Sequence, residues 1–162
     1  MTYETPRVPV PRAAGDGCAI ALDLRVVVCP GLTVSVPARL RYRTADPYAV
    51  FLDNHTDLAT PITWVFAREL LAAGLHRRAG LGSVSVHPGA DGRAGADGSA
   101  EVVFITLTGE GSSVVLRAPA DRVRTFLART EHLVPRGSER THLDLDGLLR
   151  RLRDGGAASP GP

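Results

Sequence analysis

Ile20, Leu22, Leu24, Val26 and Val28 alternate with Ala21, Asp23, Arg25 and Val27. A period of two predicts a strand with one strongly apolar face. Pro30-Gly31 marks a turn. Val34, Val36, Ala38, Leu40 and Tyr42 then alternate with Ser35, Pro37, Arg39, Arg41 and Arg43, a second and cleaner strand. Pro37 lacks an N–H, which argues for an edge or a bulge there. After the turn Ala45-Asp46-Pro47, the run from Tyr48 to His55 reads as a third strand.

Thr60-Pro61 reads as a helix start, with a hydroxyl N-cap followed by proline at the first helical position. The helix is predicted to run to about Ala73, with Gly74 as its left-handed C-cap. The plan then repeats. Val84 and Val86 begin a strand, and Val102 to Thr108 and Ser113 to Ala118 form a hairpin around Gly109-Glu110-Gly111. Pro119 opens a second helix, with Val123, Phe126, Leu127 and Thr130 at helical spacing. Leu145, Leu148, Leu149 and Leu152 form an i, i+3, i+4, i+7 stripe on a short third helix.

The predicted order is βββα-βββα-α, an α+β domain with helices segregated from antiparallel sheet. The doubled plan predicts two antiparallel sheets related by approximate internal symmetry. Residues 1–16 and 154–162 read as flexible tails around a single domain at 17–153. Residues 88–100 hold four Gly and four Ala without periodicity and read as a mobile surface loop.

Two surfaces stand out. On the first predicted helix, Ile62, Phe66, Leu70 and Ala73 share one face. Trp64, Ala67, Leu71 and Leu75, flanked by Arg68, lie nearly opposite. A helix apolar on two sides needs two neighbours. The second is either the C-terminal helix of the same chain or another subunit, for which Trp64, Arg68, Leu71 and Leu75 form the candidate contact. On the second strand, Arg39, Arg41 and Arg43 project from one face. Aligned guanidiniums can meet a protein partner or track a single-stranded nucleic acid.

Composition narrows the chemistry. All 19 basic residues among the 162 are arginine. Without lysine there is no Walker A loop, no Schiff-base catalysis and no kinase-type strand lysine. The net charge of +2 is too small for a dedicated duplex-DNA binder. Cys18 and Cys29 bracket a strand, too far apart for a disulfide, which favours reduced thiols and a cytoplasmic setting. No apolar run reaches membrane-spanning length. Ser112 and Ser113 lack a nucleophile elbow, and no acid–base pair stands out. His132, His142 and Asp144 lack zinc-ligand spacing, and His76 reads as a helix C-terminal cation. No catalytic residue, metal or cofactor is expected.

Several strings nevertheless fall in a recognisable order. They are Pro37-Ala38-Arg39-Leu40-Arg41-Tyr42, Asp46-Pro47-Tyr48-Ala49-Val50 and Trp64-Val65-Phe66-Ala67-Arg68-Glu69-Leu70-Leu71 with Gly74-Leu75-His76-Arg77. They continue with Gly82-x-Val84-x-Val86, Phe126-Leu127-x-Arg129-Thr130, Val134-Pro135-x-Gly137-x-Glu139 and Leu143-Asp144-Leu145-Asp146. From about Ala19 to Leu152 the chain resembles the SsgA-like proteins of actinobacterial sporulation and cell division. The resemblance implies a whirly-like fold, assembly as a homotrimer and action without catalysis. It also implies a role in septum-site localisation, recruitment of the tubulin-like protein FtsZ, or control of septal peptidoglycan remodelling.

Overall fold

The computed structural model describes residues 16–55, 60–90 and 101–155. The elements are β1 (Gly17–Cys29), β2 (Leu32–Arg43), β3 (Ala49–Asn54), β4 (Ile62–Ala67), α1 (Arg68–Gly74), β5 (Val84–Ala90), β6 (Glu101–Gly109), β7 (Ser112–Pro119), α2 (Ala120–Leu133) and α3 (Leu145–Gly155). A short 3-10 helix, Glu139–His142, precedes α3.

The strands form one antiparallel sheet in the order β4-β3-β2-β1-β7-β6-β5. The expectation of two sheets is therefore corrected. β1 of the first half pairs with β7 of the second, through Arg25↔Arg117 and Val26↔Leu116, and joins the halves into a continuous sheet. The sheet curls strongly. α1 follows β4 at one edge yet packs on β5 at the other, so the two edges approach each other around the helices.

The first half holds four strands where three were expected. Residues 62–67 extend as β4 rather than opening a helix, pairing with β3 from Ala49↔Ala67 to Asn54↔Ile62. Ile-Thr-Trp-Val-Phe is a β-branched and aromatic run, suited to a pleated surface. The proline rule fitted a helix start, but the pairing available from β3 prevailed. The two apolar sides of the expected helix are the two faces of a strand, followed by one short helix. Pro37 lies at a local edge, as expected: β2 sits between β1 and β3, but its pairing with β3 does not extend to Pro37. Its carbonyl accepts from His55 N–H at 2.9 Å, just beyond the last β2–β3 pair, Ala38↔Asn54. The donor-less ring nitrogen thus sits where the ladder stops.

The concave face carries the core. Leu22, Leu24, Leu40, Leu52, Val86, Ile105 and Leu116 from the sheet enclose Leu71 of α1 and Val123, Phe126 and Leu127 of α2. The second helix begins and ends close to where its spacing placed it. Residues 88–90, read as loop, complete β5, and α3 runs on to Gly155 in the segment read as tail. The rest of the expected loop and tails lies outside the described residues, apart from Asp16. Turn glycines Gly31 and Gly111 have φ of +84° and +73°, which explains glycine at both hairpins.

At Gly74, α1 lies directly on Val86, and a Cβ would overlap that side chain. Gly74→Ala is expected to cost about 1–3 kcal/mol. This should appear in urea unfolding as a lower midpoint with an unchanged slope.

Candidate functional site

The four residues first assigned to one contact face occupy different environments. Leu71 is fully enclosed, and Arg68 is 5% exposed within its own chain. Trp64 and Leu75 are partly buried against the same core. They are not a shared helix face, because Trp64 lies on β4 and the others on or just after α1. Arg68 and Leu71 are taken up internally and are inaccessible to another subunit.

Arg68 instead ties the chain to itself. It opens α1 and crosses the concave side to the C-terminal end of α2. Its Nη1 donates to Val134 O at 2.8 Å, Thr130 O at 3.4 Å and the Tyr42 hydroxyl at 3.3 Å. Its Nη2 pairs with the Glu139 carboxylate, and its guanidinium stacks 5.3 Å from the centre of the Tyr42 ring. A cation at these carbonyls also answers the negative end of α2. Tyr42 is itself buried and donates to Pro47 O at 3.0 Å. Glu139 is held below its ordinary pKa by its own backbone N–H, and also by Arg68 and the Gly137 N–H. Sequence reasoning placed Arg68 in the candidate subunit contact and did not link it to Glu139, because the pair spans 71 positions.

The arginine strand behaves differently. Arg39 and Arg41 do lie on the convex face, with Arg43 exposed beyond them. Both inner arginines converge on Asp53 of β3. Arg41 donates through Nε at 2.5 Å and Nη2 at 2.9 Å, and Arg39 Nη2 lies 3.4 Å away. Thr63 of β4 donates from Oγ1 at 2.7 Å. Asp53, the cross-strand partner of both Arg39 and Thr63, is 1% exposed beneath these groups. Arg41 also stacks 5.2 Å from the Phe51 ring centre. Beside it Val65 is 54% exposed. The resulting convex surface is mixed apolar and basic, and locked by one buried carboxylate. Asp53, Phe51 and Val65 were not singled out from the sequence, although their alternate positions in β3 and β4 carry the signal.

Two concave features complete the surface. A cavity of about 390 Å³ is lined by Asp23, Arg25, Glu101, Arg117, Asp121 and Arg124, and there Arg124 pairs with Glu101. A shallower cleft lies between Cys18 and Arg129, His132 and Leu133 of α2. Burial pushes the Cys18 thiol up, although the Arg129 charge opposes this. The thiol therefore stays protonated, which is the wrong state for a nucleophile. Among the described residues no helix is long and apolar enough to cross a membrane.

This geometry defines an α+β protein whose distinctive arginines are structural ties on both faces of one curled sheet. The comparisons place it further. Residues 36–139 match the family model described as "Streptomyces sporulation and cell division protein, SsgA", and the chain belongs to that family. Relatives include the sporulation-specific cell division protein SsgB of Streptomyces coelicolor, 46% identical over 131 residues. That match covers 81% of this chain and 91% of the relative. SsgB of Kineococcus radiotolerans is 43% identical over 136 residues, covering 82% and 76%. These names carry no enzymatic activity.

Two solved structures share the fold. One is described as "Mutations in SsgB correlate to longitudinal cell division during sporulation of Streptomyces coelicolor". It has a TM-score of 0.72 and 41% identity, covering 80% of this chain and 99% of that one. The SsgA-like sporulation-specific cell division protein of Thermobifida fusca gives 0.73 and 31%, covering 86% and 98%.

Two predictions follow from the buried ties. Arg68→Ala leaves Glu139 without its cation and the Thr130 and Val134 carbonyls without their donor, and is expected to lower the unfolding midpoint. Glu139→Gln should act in the same direction, both measured by denaturant unfolding. The second concerns acid. The Arg41 hydrogen bonds, with those of Thr63 and the charges of Arg41 and Arg39, outweigh burial and bring the Asp53 pKa to about 2 from an ordinary 3.8. Its folded value lies below its unfolded one, so its contribution is present above 3.8 and lost as pH falls through about 2. Asp53→Asn should be less stable at neutral pH and show a flatter stability profile across that window.

Proposed function

We propose that this chain is a non-catalytic regulator of sporulation-specific cell division, acting as an oligomeric adaptor that presents a protein-binding surface at septum sites. The observation that carries the reading is family membership across residues 36–139 together with relatives that are sporulation-specific cell division proteins. The convex face of β2, β3 and β4 is the partner surface. Arg43, Phe51 and Val65 supply its accessible part, and Arg39 and Arg41 its rim. Guanidiniums beside an aromatic ring and an aliphatic side chain suit an acidic, partly apolar protein segment. FtsZ and the enzymes of septal peptidoglycan remodelling are the partners to test. The protein works in the cytoplasm and reaches the septum through them.

Oligomer formation uses the β4 edge in this reading. Among the described residues no strand pairs with its outer side, and Ile62, on the face away from Val65, is 55% exposed. A six-residue apolar strand at a sheet edge is a template for pairing with another chain. Trp64 stays at this contact, whereas Arg68 and Leu71 drop out because they are enclosed. A homotrimer, as implied by the family, would repeat a weak partner site and gain avidity.

The alternative of single-stranded nucleic-acid binding rests on the arginine strand. Two of its three arginines already share Asp53, so only Arg43 presents a guanidinium with no acid partner among these residues, and this reading is the weaker one.

The test combines cells and purified components. A strain lacking the gene should regain regular sporulation septa with the wild-type chain, but not with Arg43→Glu/Val65→Glu. That variant should retain the wild-type melting curve while losing at least tenfold in affinity for the division partner captured by the wild type. Normal septation with the variant would reject this face. Unchanged septation on deletion would reject the division role.

A further inference from the structure

The third helix presents an apolar stripe that its own chain leaves uncovered. Leu145, Leu148, Leu149 and Leu152 are 55%, 47%, 53% and 66% exposed. None belongs to the core or to the apolar residues packed against it. The helix is well started: Asp144 Oδ1 accepts from Gly147 N–H at 2.8 Å, and its carbonyl from Leu148 N–H at 3.0 Å. Yet α3 has only 11 residues. Helices this short are marginal in water without a packed apolar face.

The charges along the stripe specify what covers it. At 100° per residue, Asp146 and Arg153 fall on one flank of the leucines, and Asp144 and Arg151 on the other. Each flank is thus acidic at its N-terminal end and basic at its C-terminal end. An antiparallel two-fold pairing lays each flank against its own copy running the other way. Every acid then faces an arginine. A parallel two-fold pairing instead puts acid beside acid and arginine beside arginine. From Asp144 to Arg153 the segment carries two acids and three arginines, counting Arg150. That near-balance gives little attraction to an anionic lipid surface.

We propose that α3 pairs with α3 of a second copy, antiparallel and two-fold, through its leucine stripe. Asp146 of each copy meets Arg153 of the other, and Asp144 meets Arg151. The contact is self-complementary, as a two-fold interface requires. Two such helices bury less than the roughly 1,200 Å² of a stable free-standing interface. The pairing is therefore weak between single chains and strong between assemblies that present several copies. It lies outside residues 36–139, where the family model matches, and does not depend on which division partner is bound.

Sedimentation of the full chain across a range of concentrations tests it. Wild-type mass should rise with concentration. Leu148→Glu/Leu149→Glu should abolish the part of that rise beyond the oligomer joined through β4, without altering the melting curve, since both leucines are exposed. Asp146→Arg and Arg153→Asp should each weaken association about fivefold. The double reversal Asp146→Arg/Arg153→Asp should restore it, and this arm does not depend on replacing leucine. A leucine variant that associates as the wild type does, or a double reversal as weak as the singles, overturns the proposal. Flotation with phosphatidylglycerol/phosphatidylcholine vesicles provides a further arm. Binding by the wild type that the leucine variant loses would overturn it in favour of a lipid surface.

Discussion

Removing a guanidinium from water costs several kcal/mol unless its donors are met and its charge is paired. At 5% exposure Arg68 meets that demand only if three other parts of the chain arrive together. Tyr42 of β2 offers a ring and a hydroxyl, the end of α2 offers two carbonyls, and Glu139 offers the charge. Arg68 is also the hinge from β4 into α1, and its backbone N–H donates to Tyr48 O at 2.7 Å. The edge of the sheet, both packed helices and the segment leading to α3 are therefore fixed relative to one another by one side chain. A hydrophobic core resists sliding of its elements through packing alone, with no directional contacts. A buried charge is directional, because each misplaced partner leaves a polar group unsatisfied.

The convex face repeats this logic with opposite sign. There a carboxylate is buried and arginines cover it. Asp53 gathers Arg39, Arg41 and Thr63 from the strands on either side of it, so β2, β3 and β4 are cross-linked above the plane of the sheet while leucines pack below. The arrangement also decides what the surface can do. Arginines held in place by an internal acid form a preorganised, still basic platform. Such a surface presents its guanidiniums in fixed directions, which favours specific pairing.

Much of the fold was legible in local pattern. The period-2 runs of β1 and β2, the hairpin around Gly109-Glu110-Gly111 and the spacing of α2 all report a single buried face, a property each segment carries by itself. Residues 60–74 were not legible in this way. Thr60-Pro61 satisfied a helix-start rule, and the following apolar positions fitted a helical wheel. Strand propensity was also present in Ile62 to Phe66, and only β3 as a neighbour settled which preference won. The site was less legible still. The arginines of β2 were identified as a set, but Asp53, which pairs with two of them and fixes their direction, lies on another strand. Arg68 and Glu139 are meaningful only as a pair, and no spacing rule links positions so distant.

The sequence by itself determined the α+β composition, most strand and helix positions, the leucine stripe of α3 and, through ordered short strings, the family. These depend on periodicity and residue order, which are properties of the linear chain. Tertiary structure decided that there is one sheet rather than two, because β1 meets β7 only after the chain has closed on itself. It decided that 62–67 is strand, that Leu71 and Arg68 face inward, and that Arg39 and Arg41 are paired while Arg43 is exposed. Each of these outcomes rests on a non-local partner that satisfies a hydrogen bond or a charge, and a one-dimensional pattern does not encode which partner will be near.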